Sequence, residues 1–101
     1  MAITLKAVTS CIGYQQITSL SAAAGLTVPI VDKNGNKQQP TFALIIAESK
    51  DVRWRDDGTD PTASVGMPLT VGVPLQYDGD LTNIKFIETA ASAKLNISYY
   101  A

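Results

Sequence analysis

The sequence predicts an all-β domain, an antiparallel β-sandwich of seven or eight short strands with a jelly-roll-like arrangement. Three observations carry this reading. Apolar residues recur with a period of two rather than 3.6 along nearly the whole chain. Turn signals separate the alternating segments at intervals of about 8 to 12 residues. The Cys, Trp, Cys spacing of immunoglobulin domains is missing, since the chain holds one cysteine, so the jelly roll is preferred over that alternative sandwich.

Taken in order, "TFALIIAES" (41–49) is a short apolar run rich in β-formers, and "DVRWR" (51–55) sets Val52 and Trp54 against Asp51, Arg53 and Arg55. The two read as neighbouring strands or as one bent strand. "MPLTVGVPLQY" (67–77) carries Leu69, Val71, Val73, Leu75 and Tyr77 around a break at Gly72. "NIKFIE" sets Ile84 and Phe86 against Lys85, and "KLNISYY" sets Leu95, Ile97 and Tyr99 against Lys94, Asn96, Ser98 and Tyr100. Each is the pattern of a half-buried strand. "DKNGNKQQP", "DDGTDP" and "YDGD" supply Asn-Gly and Asp-Gly turns. One short helix is expected in "ITSLSAAAGL" (17–26), capped by Ser19 or Ser21 and ended by Gly25.

At 101 residues the chain makes one domain, 1–101, large enough to bury a core without staples. Charged residues form only 17% of it, below the roughly 25% usual for soluble domains, which suggests a surface partly covered in use. Eight basic against nine acidic residues leave a net charge of -1, so neither nucleic acid nor an acidic membrane is expected as a partner. The lone Cys11 is expected as a buried, inert thiol of a chain folded in a reducing compartment. "MAITLKAVTSCIGY" lacks the basic start and apolar run of a signal peptide, so the protein is expected to be soluble and to act where it is made. The sequon at Asn96 carries no weight without such a signal.

The chemistry concentrates in "DVRWRDDGTDPTASVGMPL" (51–69). No histidine occurs anywhere, which removes the commonest general base, metal ligand and partner of a nucleophile. Asp56, Asp57 and Asp60 could act together on calcium or as paired carboxylates, but "DDGTDP" does not have EF-hand spacing and the chain is short for a glycosidase. The economical expectation is a turn: Asp bonds the backbone two residues on, Gly58 takes positive φ, and Pro61 stiffens the next bend. Arg53 and Arg55 share a strand face and either could pair bidentately with one of the aspartates, while Trp54 turns toward the core. Of Tyr99 and Tyr100, one is expected inside and the other at a contact surface. Neither a cofactor nor a metal is expected, and the protein is not expected to be an enzyme.

The same stretch, followed by "LQYDGDLTNIKFIE" and the ending "AKLNISYY", resembles a family of small virion proteins of tailed bacteriophages. In that family the segments recur as an R-[WY]-R-D-D-G-x-x-P-T-x-x-x-G-M core with a closing aromatic strand. "GYQQITSLSAAAGLTVP" (13–29) resembles it as well, so the likeness covers most of the chain. The resemblance implies a head decoration, cement or other minor structural protein without catalysis, located in the virion after synthesis in the host bacterial cytoplasm. Its implied partners are the major capsid protein and further copies of itself, as a dimer or trimer. Arg53, Arg55, Asp56, Asp57, Asp60 and Tyr100 are then the interface candidates. A different expectation is a carbohydrate-binding or host-attachment module of the virion, with Trp54, Tyr14, Tyr77 and Tyr100 as stacking platforms.

Overall fold

The computed structural model describes residues 10–101; the first nine residues of "MAITLKAVTSCIGY" lie outside them. Eight strands follow in chain order: β1 Cys11–Ile17, β2 Ala24–Gly25, β3 Phe42–Glu48, β4 Val52–Arg55, β5 Met67–Leu69, β6 Leu75–Tyr77, β7 Lys85–Glu88 and β8 Lys94–Tyr100. They form two four-stranded antiparallel sheets, ordered β1-β8-β3-β6 and β2-β7-β4-β5. The first strand pairs with the last, the second with the second-last, and so inward to the β4–β5 hairpin. That is one long hairpin rolled over on itself, the jelly-roll-like sandwich expected from the alternating strands and the missing immunoglobulin spacing.

Register explains why the central pair is so well specified. Along β3 and β8, Ala43 lies opposite Tyr99, Ile45 opposite Ile97 and Ala47 opposite Leu95. All six are inward and almost fully buried. Two alanines thus make room for a ring and a leucine at the same level, and a slip of one residue would turn every one of these side chains to water. The outward faces hold Phe42, Leu44 and Ile46 on β3 and Asn96, Ser98 and Tyr100 on β8, all half-buried. Val52, Leu69, Ile84 and Phe86 close the core from the other sheet.

Between β3 and β4 the chain crosses from one sheet to the other over Ser49, whose φ is 76°. The two strands are therefore neither paired neighbours nor one bent strand. The expected helix does not form: β1 runs to Ile17, Ala24 and Gly25 pair with Phe86 and Lys85, and Leu20 is fully buried with its carbonyl accepting from Glu88 N at 2.9 Å. A ten-residue alanine-rich segment is marginal as a helix, and sheet pairing plus burial of Leu20 outweigh it. Val71 and Val73, read as strand positions, lie in the exposed β5–β6 loop.

Cys11 also departs from expectation, being exposed. A bulge between Cys11 and Gly13 turns Ile12 into the core and leaves Cys11 outside, its Sγ 3.4 Å from Ser98 Oγ. The Asn-Gly turn forms as predicted: Asp32 Oδ1 accepts from Asn34 N and Asn36 N, at 2.8 and 3.0 Å, and Val31 bridges to Lys37. No helix among the described residues is long and apolar enough to cross a membrane.

Candidate functional site

Residues 51–69 fold as a corner. β4 runs in the middle of its sheet, and the loop from Asp56 to Gly66 folds back against the sheet's outer side before entering the edge strand β5. Arg53 makes this return possible. Its Nε donates to Ala63 O at 3.2 Å and its Nη1 to Gly66 O at 2.9 Å. Two loop carbonyls are thus held by one planar fork. Pro61 is buried beneath, and the Cα of Gly66 is wedged so tightly that a Cβ would lie 3.1 Å from Arg53 Cβ and 3.2 Å from Trp54 O. Thr62 completes the turn by accepting from Val65 N at its hydroxyl, 3.0 Å away.

Arg55 faces Lys85 directly across the β4–β7 ladder. Two like charges side by side are unfavourable. The loop supplies a carboxylate for each. Asp57 takes Arg55 bidentately, Oδ1 from Nε at 3.0 Å and Oδ2 from Nη2 at 2.5 Å, and Asp60 sits 3.2 Å from Lys85 Nζ. Bonding to Arg55 holds the Asp57 carboxyl below its usual range and raises the guanidinium.

Asp56 points the other way. Its Oδ2 accepts from the Tyr77 hydroxyl at 2.7 Å and its carbonyl from Asn83 Nδ2 at 2.5 Å. The three aspartates therefore diverge to three partners. Among the described residues no group of three or more His, Cys, Asp and Glu is placed to hold a metal ion. Tyr100, the remaining candidate, is remote from the corner: it stacks on Phe42, centroids 4.9 Å apart and planes 12° from parallel, on the outer face of the other sheet.

The four tyrosine and tryptophan platforms are likewise divided. Trp54 packs on the core and meets Tyr77 edge-on at 5.8 Å, while Tyr14 and Tyr100 lie on the outer face of the first sheet. Tyr14 donates to Asn96 Oδ1 at 2.5 Å.

Some members of the corner were not legible from the motif. Asp51 accepts from Val71 N at Oδ1, 2.8 Å, and its carbonyl accepts from both Thr89 N and Thr89 Oγ1, so it ties β4 to two loops. Lys85 and Asn83 reach the loop from β7 and the turn before it. Lys85 carried a signal, the outward phase of "NIKFIE", but its position beside Arg55 follows only from strand pairing.

With Arg53→Met, which keeps the stem and removes the fork, the protein is expected to lose about 1–2 kcal/mol, because two loop carbonyls give up a charged donor. Urea unfolding at constant m-value would read it. A loss within error would show that the loop is held without the Arg53 fork, by its other contacts.

Burial pushes the Tyr77 hydroxyl up to about 12, with the bond to Asp56 adding to the shift, and burial alone takes Tyr99 to about 12. An unfolded tyrosine titrates near 10. Since the folded values are the higher ones, the stability linked to these hydroxyls is complete below about pH 10 and is lost as pH rises from about 10 through 12. Melting temperature is expected to fall steeply across that window, and Tyr99→Phe is expected to flatten the fall; an unchanged slope would refute the link.

No protein-family model, no curated protein and no solved structure matches this chain.

Proposed function

We propose that the protein is a non-enzymatic structural component of a tailed-bacteriophage virion, a decoration or cement protein that binds the assembled head and stabilises it. What supports this reading is the way the motif residues are used. Arg53, Arg55, Asp57 and Pro61, fixed positions of the pattern that resembles virion proteins, all serve to hold one loop in one shape, and Asp60 between them adds its pair with Lys85. They converge on no common point where a substrate could react. A loop so constrained meets a partner with little ordering entropy left to lose.

At its end the corner presents apolar surface, Val65 at 53% and Met67 at 55% exposure. These two are the contact residues toward the shell, and the charged residues behind them set their position. A protein of this kind stabilises the assembled head by mass action, since it binds the assembled state alone. A repeated lattice raises its local concentration and favours closed oligomers, a dimer or a trimer.

The test uses heads produced by a phage in which the gene has been deleted. Purified protein is expected to co-sediment with these heads to saturation, and Val65→Asp with Met67→Asp to abolish this while leaving the melting temperature nearly unchanged. Protein that stays in the supernatant, or that mass spectrometry does not find in wild-type virions, would overturn the proposal.

A further inference from the structure

Each sheet has two edges, and three of the four are blunted. β2 has two residues, β5 three with a proline at position 68, and β6 three directly after Pro74. Short strands and prolines of this kind keep edges from pairing with other chains. β1 is different. It is an edge of seven residues, CIGYQQI, without a charge and without a proline.

Among the described residues its only strand partner is β8; no backbone-to-backbone bond from another segment reaches residues 11–17, and the one backbone donor that does, Thr27 N, goes to the Gln15 side chain, Oε1, at 3.0 Å. The bulge that twists the strand is confined to its start, so residues 13–17 keep an unbroken register with β8. Tyr14 stands out of this stretch at 65% exposure, and Gln16 beside it is exposed too.

We infer that the β1 edge is a self-association site, where a second copy of this chain pairs its own β1 antiparallel about a two-fold axis centred on Gln15. The two four-stranded sheets then continue as one sheet of eight. An uncharged strand is its own complement, because nothing on it repels a copy, and antiparallel pairing of like strands is the isologous contact that a two-fold axis requires. A partner bearing charge would find no counter-charge on CIGYQQI, which favours a copy over a charged foreign strand. In this register Gly13 faces Ile17 of the second copy and Tyr14 faces Gln16, so ring and amide lie together on the outer face. This makes the oligomer proposed for the virion protein a dimer and locates its interface, but it needs no shell, so it stands or falls separately from the virion role.

The test is made on the isolated full chain. Light scattering is expected to give a concentration-dependent dimer. Two single-cysteine proteins, Cys11→Ser with Tyr14→Cys and Cys11→Ser with Gln16→Cys, are expected to form a disulfide-linked heterodimer when mixed and oxidised, and little of either homodimer. Directly opposed residues have Cα atoms about 4.5–5.5 Å apart, inside the Cα range that a disulfide spans, whereas two copies of position 14 are diagonal and too far apart. Tyr14→Lys with Gln16→Lys is expected to weaken dimerisation about tenfold, as two like-charged pairs form across the axis, with the melting temperature of the monomer lowered only by the loss of two exposed bonds to Asn96. A monomer at all concentrations, a trimer, or a dimer without 14–16 cross-linking would overturn the inference. The last of these is also the result if residues 1–9 of a second copy, rather than its β1, occupy the edge.

Discussion

Gly66→Val is expected to lower the melting temperature by about 15–30 °C. The backbone at Gly66 has φ 148°, where side chains are rarely found, and a Cβ there meets Arg53, Pro61 and the Trp54 carbonyl at 3.1 to 3.2 Å. Backbone strain of about 1–3 kcal/mol adds to an overpacking cost of similar size. Each kcal/mol is worth roughly 4–8 °C in a domain of this size. Gly58 is the internal control: it also has positive φ, 87°, but nothing lies within 4 Å of its Cβ position. Gly58→Ala is therefore expected to cost only about 1–2 kcal/mol. Equal losses at the two glycines would show that conformation alone, and not the close approach of the loop to β4, makes residue 66 special. The same variant bears on function, because a loop lifted off Arg53 no longer holds Val65 and Met67 in place.

Phe86→Ala is expected to cost about 3–5 kcal/mol, as truncations of fully buried aromatic rings do. Phe86 is 0% exposed, central in the second sheet between Ala24 and Trp54, and sits in the core opposite the β3 and β8 residues. A domain with a total stability of about 5–15 kcal/mol has little left after such a loss. Because Trp54 is the only tryptophan, its emission reports on this region directly, and a red shift is expected in the folded variant as water reaches the ring. A cost below about 1.5 kcal/mol would mean that the second sheet does not depend on Phe86 to close the sandwich.

Much of the architecture was legible because it depends on a period of two. Leu95, Ile97 and Tyr99 against Lys94, Asn96, Ser98 and Tyr100 came out with the expected faces, as did Val52 and Trp54 against Arg53 and Arg55. The failures have local causes. "ITSLSAAAGL" is rich in alanine and serine, which suit a short helix, yet its outcome was decided by β7, whose free edge Ala24 and Gly25 complete. Cys11 was placed inside by the habit of free thiols, and one bulged residue put Ile12 there instead. Val71 and Val73 keep the alternation of a strand but fall where the chain turns between β5 and β6.

The candidate site divides in the same way. That residues 56–61 form a stiff turn, and that an arginine pairs bidentately with an aspartate, could be read from residue types and spacing, and Arg55 with Asp57 is that pair. That Arg53 holds carbonyls instead, that Asp60 goes to Lys85 and Asp56 to Tyr77, and that Tyr100 stacks far from all of them required the pairing of β4 with β7 and the return of the loop.

By itself, then, the sequence determined which sides of β4, β7 and β8 face the core and where the Asn-Gly and Asp-Gly turns fall, because alternation and turn chemistry act between residues close along the chain. Only the tertiary structure decided which carboxylate meets which cation and which long strand ends up at a sheet edge among the described residues. Those depend on contacts between segments tens of residues apart, and nothing in a strand's own residues says what will lie beside it.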